Sequence, residues 1–200
     1  MMDTFVTLYA IGPQQKSALA VREAFERMQE IDSKFNAHQA GSAVYAFNHH
    51  NTPISDPEIV SVAAKALEIA RLSGGAFDIT IEPLIELWGF YGDTPSVPDG
   101  DAVRACLQKI GYHHLRIENG LLTKDRHEVR IDLGGIAKGY AVRQAAEALK
   151  AHGIASAMID AGGDVYALGK RGRDLWKVGI RDPRGDDLVG FMEVEDMAVM

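Results

Sequence analysis

The chain has 200 residues, of which 46% are hydrophobic and 24% charged, the composition of a folded globular domain. Its formal net charge of -7 argues against nonspecific binding to nucleic acid or anionic membranes, because both require basic surfaces. The length predicts one domain, or two at most. The single cysteine, Cys106, cannot form an internal disulfide or a cysteine-rich zinc site, and we expect it to be a small core side chain.

The first residues carry no recognisable export sequence. They lack the basic stretch followed by an apolar run that defines a signal peptide, and no apolar run is long enough to cross a bilayer. We therefore expect a cytoplasmic protein if Met1 is the native start. The alternative is a segment before Met1 that this sequence lacks.

Apolar periodicity predicts a strand and a long helix in the first 51 residues. Residues Thr4 to Ile11 alternate and predict a strand that Gly12-Pro13 ends. Apolar residues at spacings of three and four between Ala18 and Phe35 predict an amphipathic helix. The polar stretch Asn36 to Asn51 predicts a loop with one helical turn around Ala43 to Phe47.

A second helix follows, and two interpretations of its start remain open. Ser55 with Glu58 has the pattern of a capping box. Asp56 before Pro57 fits a cap followed by a first-turn proline. The paired glycines Gly74-Gly75 are expected to end this helix.

The middle of the chain predicts a helix and a hairpin. A third helix is expected over about Asp99 to Ile110. The dipeptide Asn119-Gly120 between two short apolar runs predicts a two-residue β-hairpin with strands at His114 to Glu118 and Leu121 to Lys124. Residues Val129 to Leu133 predict a further strand.

The last third of the chain is rich in strands. Gly134-Gly135 is expected to turn into a helix that extends to about His152. Further strands are predicted at residues 155–160, 165–168, 176–181 and 191–194. Because helices and strands are interspersed without a clean βαβ repeat, the pattern favours an α+β fold of mixed helices and antiparallel-rich sheets.

Three glycine-rich segments are candidates for ligand contact, because glycine permits left-handed backbone and close approach. In residues 73–80, Asp78 could accept hydrogen bonds from a polar ring edge, or the segment is only a helix end with a solvated aspartate. In residues 132–140, a helix start with free N–H groups and with Lys138 in its first turn suits a phosphate, with a plain turn as the alternative. The glycine pair in Asp160 to Asp164 indicates a ligand-adjacent bulge or a simple hairpin.

Other chemistry is less well supported by the sequence. The seven histidines show no metal-ligand spacing, which favours surface or loop roles over zinc. No nucleophile elbow or catalytic triad pattern is present. No catalytic residue is therefore assigned.

In this order, the segments resemble the FAD:protein FMN transferases, the ApbE-like family. The two long blocks are Gly75 to Leu84, continued by Leu87 to Phe90, and Asp132 to Ala141. Shorter similarities lie at residues 2–4, 42–48, 160–164 and 182–183. The resemblance covers essentially the whole chain and implies a single ApbE-like domain over residues 1–200 with the α+β flavin transferase fold.

The resemblance also implies a reaction and a site. FMN would pass from FAD to a threonine hydroxyl of a target protein, with Mg²⁺ near the pyrophosphate and AMP as the leaving group. Some members hydrolyse FAD to FMN and AMP instead. The implied FAD contacts are Met2, His38, Ala76, Phe77, Asp78, Asp132 and Lys138, and the implied magnesium ligand is the backbone carbonyl of Gly135.

The chain departs from the family pattern at three places. Asp3 replaces a glycine, and His38 replaces a flavin-contacting tyrosine, so that an imidazole would stack less extensively on the flavin. The family pattern continues past Met200 with an Asp/Thr pair that completes the magnesium site. We therefore expect a domain truncated at its C-terminal end, with a shortened member lacking full metal binding as the alternative.

The enzyme interpretation has a rival from another class, a noncatalytic flavin-binding module or fragment. The resemblance implies an acceptor flavoprotein as partner, such as a subunit of a membrane redox complex, and a location in the cell envelope or periplasm. No nucleic-acid partner and no membrane span are expected.

Overall fold

The computed structural model describes residues 4–92, 94–185 and 187–200. The chain divides into two compact units: unit 1 comprises Met1–Asp32 and Lys138–Met200, and unit 2 comprises Ser33–Ala137. In chain order the elements are β1 (Val6–Ala10), α1 (Gln14–Phe35), α2 (Ala43–His50), α3 (Pro57–Leu72), a 3₁₀ turn (Ile79–Ile81), α4 (Glu82–Leu87), α5 (Gly100–Leu107), a 3₁₀ turn (Tyr112–His114), β2 (Leu115–Glu118), β3 (Leu121–Lys124), α6 (Gly134–Ala151), β4 (Ala157–Ala161), β5 (Asp164–Leu168), β6 (Trp176–Arg181), β7 (Leu188–Val194) and β8 (Met197–Val199).

Unit 1 contains a four-stranded antiparallel sheet in the order β1-β4-β5-β8. β1 pairs with β4 from Val6 opposite Ala161 to Ala10 opposite Ala157. Alternate residues of β4 are buried, as expected for a strand with one face on the core. The predicted strands β1, β4 and β5 are confirmed within two residues, whereas β8 was not predicted, because its three residues are too few to show a period.

A second sheet in unit 1 is the hairpin β6–β7. Trp176 and Val194 face each other at its base and form a buried cluster with Ala167. The outer part of the hairpin is exposed. The prediction for β6 is confirmed residue for residue, and β7 begins three residues earlier than expected.

Unit 2 contains α2 to α5 and the hairpin β2–β3. The turn residues Asn119 and Gly120 have φ of 52° and 76°, the left-handed pair that a type I′ turn requires. This confirms the predicted hairpin. Cys106 is buried on α5, and burial raises the pKa of its thiol, which agrees with a core side chain.

The prediction of one helical turn in residues 36–51 was too short. α2 has eight residues, because Ser42 caps its start by accepting the Tyr45 N–H and Asn51 ends it in the left-handed conformation at φ 54°. None of the helices in the described part of the chain has the length and apolar character needed to cross a bilayer.

The structure decides between the two interpretations of the start of α3. Asp56 is the cap: its side chain accepts the N–H groups of Glu58 and Ile59, and Pro57 occupies the first turn. The Asp56 carboxylate also lies 2.9 Å from the Lys34 ammonium. Although burial opposes ionisation, this ammonium and the two N–H groups hold the pKa of Asp56 below its ordinary value.

We expect Asp56→Ala to lower the free energy of unfolding at pH 7 by about 1–2 kcal/mol, because it removes a helix cap. A lowered carboxyl pKa stabilises the fold above the ordinary pKa, and this contribution is lost as the pH falls through the folded-state pKa. The difference between wild type and variant should therefore shrink toward acid pH. Urea unfolding at a series of pH values measures it.

The matched control for this prediction is Ser55→Ala, which removes the exposed neighbouring hydroxyl. It should change the free energy of unfolding by less than about 0.5 kcal/mol. Equal losses in both variants, or a loss in Asp56→Ala that persists undiminished at acid pH, would contradict the assignment.

Candidate functional site

The segment Val129–Leu133 leads into the glycine-rich start of α6, and it is not the strand that the sequence predicts. Its backbone finds no ladder partner among the described residues; side chains and a loop satisfy it instead. The Asn48 amide donates to the Ile131 carbonyl and accepts the Ile131 N–H, both at 2.8 Å. The Asp132 N–H donates to the Ile79 carbonyl at 2.8 Å. This segment is therefore extended without being part of a sheet.

Charged groups hold the beginning of the same segment. The Lys124 ammonium donates to the Val129 carbonyl at 2.6 Å. Burial lowers the pKa of Lys124 to about 8, so the group is still mainly protonated at pH 7 and can donate. Arg130 contacts the carboxylates of Glu82 and Glu86 on α4.

The contact between Arg130 and Glu82 is a buried charge pair. Arg130 Nε lies 2.8 Å from Glu82 Oε2, but the N–H does not point at this oxygen, which accepts no hydrogen bond. Burial raises the pKa of Glu82 although the Arg130 charge opposes the shift. Glu82 therefore attracts Arg130 by charge alone, whereas the Glu86 carboxylate accepts a hydrogen bond from the same guanidinium.

The carboxylate of Asp132 is bound on both oxygens. One accepts the Gly134 N–H at 2.7 Å, and the other accepts the Tyr91 hydroxyl at 2.6 Å. The Leu133 carbonyl accepts the N–H groups of the third and fourth residues of α6. The expectation of several free N–H groups at this helix start was therefore wrong. Of the four N–H groups in the first turn of α6, only that of Gly135 has no acceptor among the described residues.

Two glycines at the start of α6 permit close contacts. A Cβ atom at Gly134 would lie 2.8 Å from Asp132 Oδ1, and one at Gly135 would lie 3.2 Å from Cε2 of Phe77. The Phe77 ring therefore packs directly over the backbone of Gly135. This contact brings together the two long blocks that the sequence singled out, residues 75–84 and 132–141.

His38 is connected to Asp132 through an aromatic contact with Tyr91. Its imidazole lies against the Tyr91 ring with a centroid distance of 3.8 Å and an interplanar angle of 51°. Because the Tyr91 hydroxyl is bonded to Asp132, His38, Tyr91 and Asp132 form one connected group. His38 is exposed and Tyr91 is 46% exposed, so a ligand has access to both rings.

The carboxylate of Asp78 is bonded to its own loop and to the second 3₁₀ turn. One carboxylate oxygen accepts the N–H and the hydroxyl of Thr80 at 2.8 and 2.7 Å, and the other accepts the Tyr112 N–H at 2.7 Å. Asp78 thus caps the 3₁₀ turn and is not merely solvated. Ala76 is exposed beside it.

Lys138 belongs to unit 1, and its ammonium already has a partner. It lies 2.9 Å from Asp164 Oδ2, and both side chains are mostly buried. Because α6 begins at Gly134, Lys138 is the fifth helical residue and falls in the second turn, not in the first as expected. The Asp160 carboxylate accepts the Gly163 N–H at 2.8 Å, which fixes the turn that carries Asp164.

The predicted site residues that the structure describes divide into three groups. His38, Phe77, Asp132 and Gly135 are brought together in unit 2. Asp78 and Ala76 belong to the neighbouring loop, and Lys138 lies in unit 1. Met2 lies outside the described residues. Across residues 4–92, 94–185 and 187–200, no three His, Cys, Asp or Glu side chains are placed to hold a metal ion.

Sequence reasoning did not identify Tyr91 or Asn48 as contributors to the site. Tyr91 follows the Trp88–Phe90 run that was part of the resemblance, and an aromatic residue in a polar loop indicates a contact surface. Asn48 is the last residue of the similar stretch at 42–48, and a polar residue at a buried helix position indicates a side chain that bonds to backbone.

The chain is similar to known proteins over nearly its whole length. A family model described as the ApbE family matches residues 2–200. The FAD:protein FMN transferase of Treponema pallidum is 31% identical over 199 residues, which cover 90% of this chain and 55% of that protein. The protein of the same name from Vibrio cholerae is 32% identical over 195 residues, covering 93% and 58%. The chain therefore spans little more than half the length of these two relatives.

Solved structures agree with the fold described above. The crystal structure of the ApbE protein from Thermotoga maritima matches with a TM-score of 0.91 and 32% identity, covering 98% of this chain and 66% of that one. The flavin transferase ApbE from Vibrio cholerae matches with a TM-score of 0.86 and 29% identity, with the same coverage. These matches confirm the expected α+β fold with antiparallel sheets.

We expect Asn48→Ala to lower the free energy of unfolding by about 2–4 kcal/mol, because both polar backbone groups of the fully buried Ile131 lose their partners. Urea unfolding at pH 7 measures the loss. Gln39→Ala, which truncates an exposed amide in unit 2, is the control and should change little. A loss below about 1 kcal/mol in Asn48→Ala would show that water replaces the amide and that the segment does not depend on it.

Proposed function

The chain belongs to the ApbE family, and from this membership we propose that it acts as an FAD:protein FMN transferase. The observation that carries the proposal is the match of the family model to residues 2–200, joined by curated relatives that bear this name. In chemical detail, we propose Mg²⁺-dependent transfer of FMN from FAD to a threonine hydroxyl of an acceptor flavoprotein. For that acceptor we propose a subunit of a membrane redox complex.

The reaction exchanges one phosphorus–oxygen bond for another. The threonine oxygen bonds to the phosphorus of the FMN half, and the bond from this phosphorus to the bridging oxygen of the pyrophosphate breaks. AMP leaves with the bridging oxygen, and the hydroxyl proton passes to a base or to water. Because little covalent chemistry falls to the protein, positioning and charge stabilisation are its main contributions.

We propose that the aromatic side chains of unit 2 receive the flavin. His38 and Phe77 offer exposed or partly exposed ring faces, and Tyr91 supports the His38 ring. Asp78 has three of its roughly four acceptor positions occupied by Thr80 and Tyr112. The remaining acceptor position of Asp78 is available to a flavin N–H. Ala76 and Met2 are further proposed flavin contacts.

We propose two phosphate contacts, each described within its own unit: the start of α6 in unit 2, and Lys138 in unit 1. The Gly135 N–H has no acceptor among the described residues, and the helix dipole favours an anion here. Lys138 supplies a positive charge that Asp164 holds at 2.9 Å. A pyrophosphate oxygen would share the ammonium with Asp164, since an ammonium has three donors.

Magnesium fits this proposal only as an ion shared with the substrate. The available donors are of the oxygen type that Mg²⁺ prefers, the Gly135 carbonyl and the Asp132 carboxylate, and Mg²⁺ at nucleotides commonly keeps waters and substrate phosphates as its other ligands. When bound, it would neutralise pyrophosphate charge. Asp132 already accepts hydrogen bonds on both oxygens. A metal ion at Asp132 would therefore share these oxygens with the Tyr91 hydroxyl and the Gly134 N–H.

The direct test is calorimetric titration of the chain with FAD, with Mg²⁺ or with EDTA, followed by chromatography of the nucleotides. The proposal predicts binding that Mg²⁺ strengthens and AMP release that EDTA abolishes. FMN appearing together with AMP in the absence of acceptor would favour hydrolysis by water. Binding without metal dependence and without AMP would contradict catalysis and leave a flavin-binding module; absence of binding would contradict both.

Lys138→Ala should weaken FAD binding by about tenfold and leave riboflavin binding unchanged, because the lysine is proposed to meet phosphate and riboflavin has none. Flavin fluorescence titration measures both ligands. The matched control is Lys150→Ala, which removes an exposed lysine from the same helix and should change neither affinity. An equal loss for riboflavin and FAD in Lys138→Ala would rule out the phosphate role.

A further inference from the structure

The hairpin β2–β3 has one edge that the described chain leaves open. β3 is covered on its outer side, because Leu122 exchanges two hydrogen bonds with Ile54 at 2.9 and 3.1 Å. β2 pairs with β3 alone among the described residues. An unpaired strand edge presents N–H and C=O groups that can bind another chain.

The register shows which groups of β2 face outward. Ile117 lies opposite Leu122, and Leu122 directs its N–H and C=O toward Ile54, away from β2. In an antiparallel pair the two opposed residues either exchange both hydrogen bonds or point both away. The N–H and C=O of Ile117 therefore point outward. The N–H of Leu115 is already bonded to the Tyr112 carbonyl, which leaves its C=O for a ligand.

A groove runs along this edge beside α3. It encloses about 490 Å³ and has an apolar floor that includes the buried Leu67 and Leu115. We call it the β2 groove and define it by Leu67, Arg71 and Leu115–Glu118. One wall of the groove is α3 and the other is the edge of β2. An extended backbone fits between a helix and a strand edge.

The charge of the β2 groove is mainly positive, in a chain whose formal net charge is -7. Arg71 and Arg116 both line it and are exposed. Neither guanidinium has an acidic partner among the described residues. His113 lies in the same lining, and Glu118 is its one acidic side chain. Two unpaired guanidinium groups favour carboxylates on the segment that enters.

We propose that the β2 groove docks an extended acidic segment of a protein partner, which adds a strand to the edge of β2. Main-chain hydrogen bonds to Ile117 and Leu115 supply the register, and the positive charges of Arg71 and Arg116 favour a segment that carries acidic side chains. None of the residues that define the β2 groove is a proposed flavin contact, although Tyr112, which also lines it, donates its N–H to Asp78. The proposal therefore stands or falls without FAD, and its test contains none.

The test uses a fluorescein-labelled eight-residue peptide of alternating glutamate and valine and measures fluorescence anisotropy with the full chain. Two comparison peptides separate the contributions: one replaces glutamate by lysine, and the other carries N-methyl groups along one edge and cannot pair as a strand. We expect binding of the first peptide only, with affinities at least tenfold lower for the other two. Amide exchange at Ile117 should slow in the complex.

The variant Arg71→Glu/Arg116→Glu should weaken binding of the acidic peptide by at least tenfold. Its matched control, Arg143→Glu/Arg173→Glu, makes the same change in net charge at two exposed arginines of unit 1 and should bind as the wild type does. Circular dichroism checks that each variant folds. If a variant does not fold, the comparison of the acidic peptide with its N-methylated form on the wild-type chain still tests strand addition. Equal binding of all three peptides, no binding, or preferential binding of an oligonucleotide of equal charge would overturn the proposal.

Discussion

The paired hydrogen bonds between the Asn48 side chain and the backbone of Ile131 are the constraint on which the candidate site depends. They satisfy a buried N–H and a buried C=O that no strand covers in the described chain, and leaving such groups unpaired is costly. With Ile131 fixed, the next residue, Asp132, is placed against the Ile79 carbonyl and the Tyr91 hydroxyl. The glycine-rich start of α6 then follows at a defined position, and Phe77 can pack over Gly135. One amide thus determines where the two long blocks of the sequence meet.

The same amide explains why the sequence was misleading for this segment. The apolar pattern of residues 129–133 indicates an extended, buried backbone, and both properties are found. It does not indicate the hydrogen-bond partner, which is a side chain 83 residues earlier. Local rules succeeded where the determinants are local: Asn119-Gly120 specifies its hairpin, and the spacing in α1 specifies a helix. They were incomplete at α2, where the caps Ser42 and Asn51 extend the helix beyond the single turn that polarity suggested.

In the candidate site, too, the features that depend on local sequence were predictable and those that depend on long-range contacts were not. Phe77, Asp132 and Gly135 were identified because their blocks are recognisable in the sequence, and the structure brings them together. The contribution of Tyr91 and the pairing of Lys138 with Asp164 were not predictable, since each depends on tertiary contacts between segments far apart in the chain. Asp78 is intermediate: its place in the motif was evident, but its bonds to Thr80 and Tyr112 show that it also maintains the loop. A residue in a recognised motif can therefore support the site through structure as well as through ligand contact.

We propose that the start of α6, held beside Asp132 and Phe77, receives the phosphates of a flavin nucleotide. Amide hydrogen exchange over residues 129–137, measured with FAD and with riboflavin, tests it most directly. We expect FAD to slow exchange at the Gly135 amide, which has no acceptor in the described chain. Riboflavin should leave this amide unchanged while still affecting the loop around Phe77. Exchange at Gly135 that stays the same when FAD is demonstrably bound would contradict it.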